Sequence, residues 1–112
     1  MSDKLQNADK ALVEPAKLAD YLLSSSHPDG KGKAKFFIQF GFATANPEML
    51  EASLRKHGLT QPVVEVKTTE HGVKFILECT VPSPDGRNPC IRSVWIVDTG
   101  KTAPRLVTAY PN

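Results

Sequence analysis

From Glu14 to Leu23 the apolar residues Ala16, Leu18, Ala19, Leu22 and Leu23 recur at intervals of three and four, the spacing of one helix face. Pro15 suits a first helical turn, and Ser24, Ser25 and Ser26 weaken the far end, so the pattern predicts a helix over 14–26. The stretch "KAKFFIQFGF" fits two templates. Phe36, Ile38, Phe40 and Phe42 alternate as in a strand, whereas Ala34, Phe37, Ile38 and Gly41 share a helix face. Its place between two helical segments, and the stop at Gly41, favour a helix over 33–43. A further helix over 47–57 has Asn46 as N-cap, Pro47 at the first position and Glu48 at the positive end of the dipole. Met49, Leu50 and Leu54 form its expected buried stripe, Glu51 and Arg55 stand four apart as an ion pair, and Gly58 is its expected closing glycine.

Beyond Gly58 the hydrophobic period falls from about 3.6 to 2. "PVVEVKTT" puts Val64 and Val66 on one side and Glu65 and Lys67 on the other, and "VKFILECTV" lines up Val73, Phe75, Leu77, Cys79 and Val81. "CIRSVWIVD" is apolar on both faces, as a central strand is, with Trp95 in the core. "RLVTAY" is the last strand. Strands are therefore predicted at 62–69, 73–82, 90–98 and 105–110, joined by hairpin-length links. Helices followed by such a run predict an α+β domain: N-terminal helices, then a four-stranded antiparallel meander with helices on one face. The uncovered face is the expected groove. Residues 1–13 read as a flexible lead-in and 14–112 as one domain.

A chain of 112 residues with 40% hydrophobic and 23% charged residues is ordinary for a globular protein and supports a single core. No apolar run reaches membrane-spanning length, and the polar start "MSDKLQNADK" is unlike a secretory signal, so the reading is a cytoplasmic protein with no membrane partner. The net charge of +2 demands no anionic ligand, but its distribution is suggestive. Lys31, Lys33 and Lys35 have only Asp29 near them in sequence, and Arg87, Arg92, Lys101 and Arg105 outnumber Asp85 and Asp98 in the last third. A fold that joined these segments would make one basic patch; scattered surface cations are the equally weighted alternative.

The candidate chemistry is sparse. Cys79, Cys90 and the histidines His27, His57 and His71 lack metal-ligand spacing, so no metal and no cofactor are expected. If Asp85–Gly86 is the hairpin tip, Cys79 pairs near Arg92 and Cys90 near Val81, and the offset argues for free thiols. His57 is read as a cation at a helix C-terminus and His71 as a turn residue. His27 stands apart. "HPDG" is a type I turn that presents the imidazole at a defined place, its pKa suits proton transfer at neutral pH, and nearby lysines favour its neutral form. A turn histidine beside solvated lysines is the bland reading of the same residues.

Five segments carry a resemblance: "SSSHPDGKGKAKFF", "GF", "LRKHG", "VPSPDGRNPCIRSVWIV" and "PRLVTAYP". Together, over residues 18–111, they resemble a family of small bacterial domains of unknown function. Its members carry a His–Pro–x–Gly–(Lys/Arg)–x–Lys–Ala–x–x–Phe stretch, a Trp-containing strand and a C-terminal Leu-Val-Thr strand. The order of elements is also similar to the barnase–EndoU–colicin–RelE-like ribonuclease toxins, which cleave RNA without metal. That resemblance implies His27 as acid/base, Lys33 as phosphate-binding cation, Arg92 as a second cation and Thr108 as a hydrogen-bonding residue. It leaves the second acid or base unassigned. Lys31, Lys35 and Arg105 are the accompanying candidate substrate contacts. The implied partners are RNA and a small antitoxin or immunity protein. A non-catalytic protein- or RNA-binding module is the rival reading.

Overall fold

The structure is a computed structural model that describes residues 4–14, 18, 31–43 and 45–112. Most of the predicted first helix, and the whole "HPDG" turn with His27, lie outside the described residues. Within them the order is a short 3-10 helix (Ala8–Lys10), α1 (Lys31–Gln39), α2 (Pro47–Thr60), β1 (Val63–Thr69), β2 (Gly72–Thr80), β3 (Cys90–Asp98) and β4 (Arg105–Pro111). The strands form an antiparallel meander in the order β1-β2-β3-β4. The α+β architecture read from the change of period is the one observed.

The ambiguous "KAKFFIQFGF" is a helix, and its end explains the ambiguity. Gly41 takes φ 103°, Phe42 N–H donates to the Phe37 carbonyl at 3.2 Å, and Gly41 N–H donates to the Ile38 carbonyl at 3.0 Å. This is a Schellman closure, accompanied by its hydrophobic contact: the rings of Phe37 and Phe42 meet edge to face at 5.9 Å. Phe40 and Phe42 thus alternate because they follow the helix rather than belong to a strand. The hairpin loop between β2 and β3 braces this end. Arg87 donates to the Gln39 carbonyl at 2.7 Å and lies 4.3 Å over the Phe40 ring, placing a cation at the negative end of α1. Asp85 holds that arginine. Its carboxyl is lowered to about 2, first by the Arg87 backbone N–H and then by the Ser83 hydroxyl.

Helix α2 corrects two readings. It continues to Thr60, so Gly58 lies inside it rather than after its end. Leu50, Leu54, His57 and Gly58 form the buried stripe, while Met49 is 44% exposed. Asn46 occupies the N-cap position with Pro47 following, but its side chain makes no capping bond. Glu51 and Arg55 do pair, at 3.0 Å. Arg55 also donates to the carbonyl of Ala11.

Residues 4–13, part of the stretch read as a flexible lead-in, put Leu5, Ala11 and Val13 into the core. Leu12 bridges β4 in parallel fashion, with hydrogen bonds to Pro104 at 2.8 Å and from Leu106 at 2.9 Å. That segment covers part of the β4 edge. Among the described residues no segment pairs with the β1 edge, and Val64 and Val66 are about half exposed (49% and 55%). A register irregularity between Val63 and Glu65 breaks the alternation predicted there.

One side of the sheet presents Leu77, Ile91, Trp95, Leu106 and Ala109 to Phe37, Phe42, Leu50 and Leu54. Each fully buried Leu, Ile or Phe among them is worth roughly 1.5–3 kcal/mol of transfer free energy. Strand alternation turns the intervening residues of β2, β3 and β4 to the other side.

Candidate functional site

That second side is built from cross-strand rows. Glu78, Arg92 and Tyr110 form one, Ile76, Val94 and Thr108 the next, and Lys74, Ile96 and Arg105 the third. Register therefore brings Arg92, Thr108 and Arg105 onto one face. Thr108 stands diagonal to Arg92, a separation of about 7–8 Å between backbone positions. The register shift between Val94 and Trp95 matters here. Without it, Arg105 and Thr108, three residues apart, would point to opposite sides of the sheet.

The cations on this face are not bare. Arg92 is ion-paired with Glu78 across β2 and β3. Its guanidinium is held further above its ordinary pKa first by the hydrogen bond to Tyr110 and then by Glu78. Arg105 makes a bidentate bridge to Asp98, at 2.9 and 3.0 Å, which lowers the Asp98 carboxyl and raises the arginine. Beside it, Leu12, Asp98, Lys101, Thr102, Ala103 and Arg105 line a cleft of about 350 Å³. Both pairs are roughly one-third exposed, so the arginines are pre-positioned at a solvent boundary rather than sealed.

Lys33 and Lys35 stand on α1, whose Ala34 and Phe37 are fully buried. Phe37 joins the core cluster that holds Leu106 and Ala109, the residues of β4 directed opposite to Thr108. Lys33 is half-buried and Lys35 exposed, and Lys31 opens the helix. His27 lies outside the described residues. What the register shows is that Arg92, Thr108 and Arg105 share one face, with Arg92 and Arg105 two rows apart. Among the described residues no cluster of three or more His, Cys, Asp or Glu side chains could hold a metal ion, and no helix is long and apolar enough to cross a membrane.

A second polar constellation escaped the sequence reading. His57 and Ser93 are both fully buried. His57 Nε2 lies 2.9 Å from the Cys79 carbonyl oxygen, which can only accept, so Nε2 carries the proton. Nδ1 is then the acceptor for the Ser93 hydroxyl at 2.8 Å, and the Ser93 oxygen accepts from Trp95 Nε1 at 2.8 Å. Every polar atom of this chain is satisfied. Burial pushes the imidazole below its ordinary pKa, so His57 is neutral and not the cation expected at a helix end. A serine against a histidine suggests an activated nucleophile. Complete burial denies it a substrate, and the donation from Trp95 occupies the attacking oxygen. The legible signal was a serine between Ile91 and Trp95 on a core-facing parity, which required a buried partner.

The two thiols are free, as expected, but the register differs from the predicted one. Cys79 faces Ile91 and Thr80 faces Cys90, one residue from the expected pairing, because the loop residues 81–89 are not divided symmetrically about Asp85–Gly86.

A family model described as a domain of unknown function, DUF6883, matches residues 4–112. The match begins ahead of the segments that carried the resemblance and takes in the buried Leu5, Ala11 and Val13. No curated protein matches the sequence. Among solved structures, the fold is similar to a chain of the contact-dependent growth inhibition toxin–immunity protein complex from Klebsiella pneumoniae 342. The TM-score is 0.71 at 20% identity, over 96% of this chain and 98% of that one. At that identity the likeness establishes a shared fold.

Proposed function

The chain belongs to the DUF6883 family of domains of unknown function, and we propose that it is a small toxin domain that cleaves RNA and is neutralised by an immunity protein. The observation that carries this reading is the near end-to-end likeness to a chain of a toxin–immunity complex, with neither chain overhanging the other. Arg92, Thr108 and Arg105 on a single sheet face support it, because a phosphodiester needs cations and a hydrogen-bond donor within reach of one another.

In this reading the ribose 2′-hydroxyl attacks the adjacent phosphorus. The P–O bond to the departing 5′-oxygen breaks, and a 2′,3′-cyclic phosphate results. His27 takes or gives the proton, a contribution of about 10²–10⁴-fold in rate. Arg92 holds the charged phosphorane, Thr108 hydrogen-bonds one of its oxygens, and Lys33 reaches them past β4, the strand against which α1 packs. Lys31, Lys35 and Arg105 bind the flanking chain. In this reading the start of α1 offers backbone N–H groups to the anion.

One observation favours the rival binding-module reading: Arg92 and Arg105 are already engaged by Glu78 and Asp98. The separating experiment compares wild type with His27→Ala in growth on expression and in cleavage of labelled RNA. The toxin reading expects both activities to vanish in the variant while the melting midpoint stays put. RNA binding by both proteins with cleavage by neither would instead establish the binding module.

A further inference from the structure

In a regular antiparallel ladder, residues offset by one position point to opposite faces. Cys79 faces Ile91 and Cys90 faces Thr80, so the two thiols should lie on opposite sides of the sheet. They do not. Cys79 takes φ 128°, a left-handed value that normally selects glycine, and its side chain is exposed although Leu77 and Val81 on the same parity are fully buried. The reversal leaves its thiol near enough to that of Cys90 for the two to interact. Asn112 Nδ2 approaches Cys90 Sγ from the other side at 3.5 Å. A strained non-glycine backbone whose side chain packs into nothing, but meets a second thiol, is not explained by folding alone.

We propose that Cys79 and Cys90 form a dithiol site that closes to an intramolecular disulfide with a low-molecular-weight disulfide as oxidant. Adjacent strands hold the two α-carbons within bridging range for an offset of one, and the turned Cys79 supplies the direction that regular pleating withholds. The exposed Cys79 reacts first. Its thiolate attacks one sulfur of the oxidant, forming a mixed disulfide and releasing one thiolate. Cys90, deprotonated in turn, attacks Cys79 Sγ and expels the second. Two protein thiols are oxidised and one small disulfide is reduced to two thiols. Burial, then the contact with Cys79 and the charge of Glu78, holds the Cys90 thiol above its ordinary pKa, which agrees with this order. The site is thus a dithiol in a reducing compartment and a disulfide in an oxidising one. The bond would tie β2 to β3 beside the carbonyl that receives His57.

The test uses the full chain, reduced, freed of reductant and incubated with oxidised glutathione, then read by intact mass with and without prior alkylation. Wild type is expected to lose the mass of two hydrogens and to retain no glutathione. Cys90→Ser should stop as a single glutathione adduct on Cys79. Cys79→Gly, which suits the positive φ and so preserves the fold, should form no internal bond. The closed form should melt above the reduced form and return to it with dithiothreitol. Wild type that accumulates glutathione adducts or disulfide-linked dimers without the internal bond would overturn the proposal.

Discussion

Gly58 lies against the indole of Trp95 so closely that a Cβ on Gly58 would stand 3.0 Å from Cζ2. In an exposed helix interior, glycine to alanine stabilises by about 1 kcal/mol. Here the neighbour cannot yield, because Trp95 is fully buried and tethered through Nε1 to Ser93. Overpacking of about 1–3 kcal/mol therefore outweighs the propensity gain. Gly58→Ala should lower the urea midpoint, despite raising helix propensity. An unchanged or raised midpoint would show that the indole shifts freely.

His57 sets a pH dependence whose sign follows from its neutral burial. Its folded-state pKa lies below the ordinary 6.5. Above pH 6.5 both folded and unfolded chains carry a neutral imidazole, and the buried network contributes fully. As the pH falls below 6.5 the unfolded chain gains a proton that the folded chain refuses. Stability then declines by up to about 1.4 kcal/mol per pH unit until His57 itself protonates in the folded state. Urea midpoints measured between pH 7.5 and 5 should show this decline. His57→Gln, which has no titrating group, should be less stable at neutral pH and flatter across the range. Equal slopes for the two proteins would remove His57 as the cause.

Glu78 holds Arg92 in place and also neutralises it. If Arg92 contacts RNA phosphate, Glu78→Gln should tighten binding of a single-stranded RNA by about fivefold at low salt, the order of one partly exposed ion pair. The gain should shrink as salt rises, since it is electrostatic. Fluorescence anisotropy at two salt concentrations decides it. No gain at low salt would exclude Arg92 from the RNA-binding face.

The sheet was readable because a period of 2 in "VKFILECTV" and "CIRSVWIVD" reflects burial on one face or two, a local consequence of strand geometry. Helix α2 was readable from its N-terminus for the same reason. Its C-terminus was not, because glycine within a helix and glycine ending one look alike until the indole of Trp95, 37 positions along the chain from Gly58, is in place. Met49 sat on a plausible stripe, but which flank of that stripe meets the sheet depends on how α2 lies across β2 and β3.

For the candidate site, the residue types in "RSVWIV" and "RLVTAY" were visible, and parity placed Arg92 with Val94 and Ile96. The sequence by itself determined the order of α1, α2 and the four strands, the meander and which strand is central, since these follow from hydrophobic period and loop length. Only the tertiary structure decided that a register shift puts Arg105 and Thr108 on the face of Arg92, that Glu78 and Asp98 engage the arginines, and that His57 is buried against Ser93. Those outcomes depend on pairings between residues far apart in the chain. A single-residue slip reverses the face of every side chain beyond it, and no local pattern records where that slip falls.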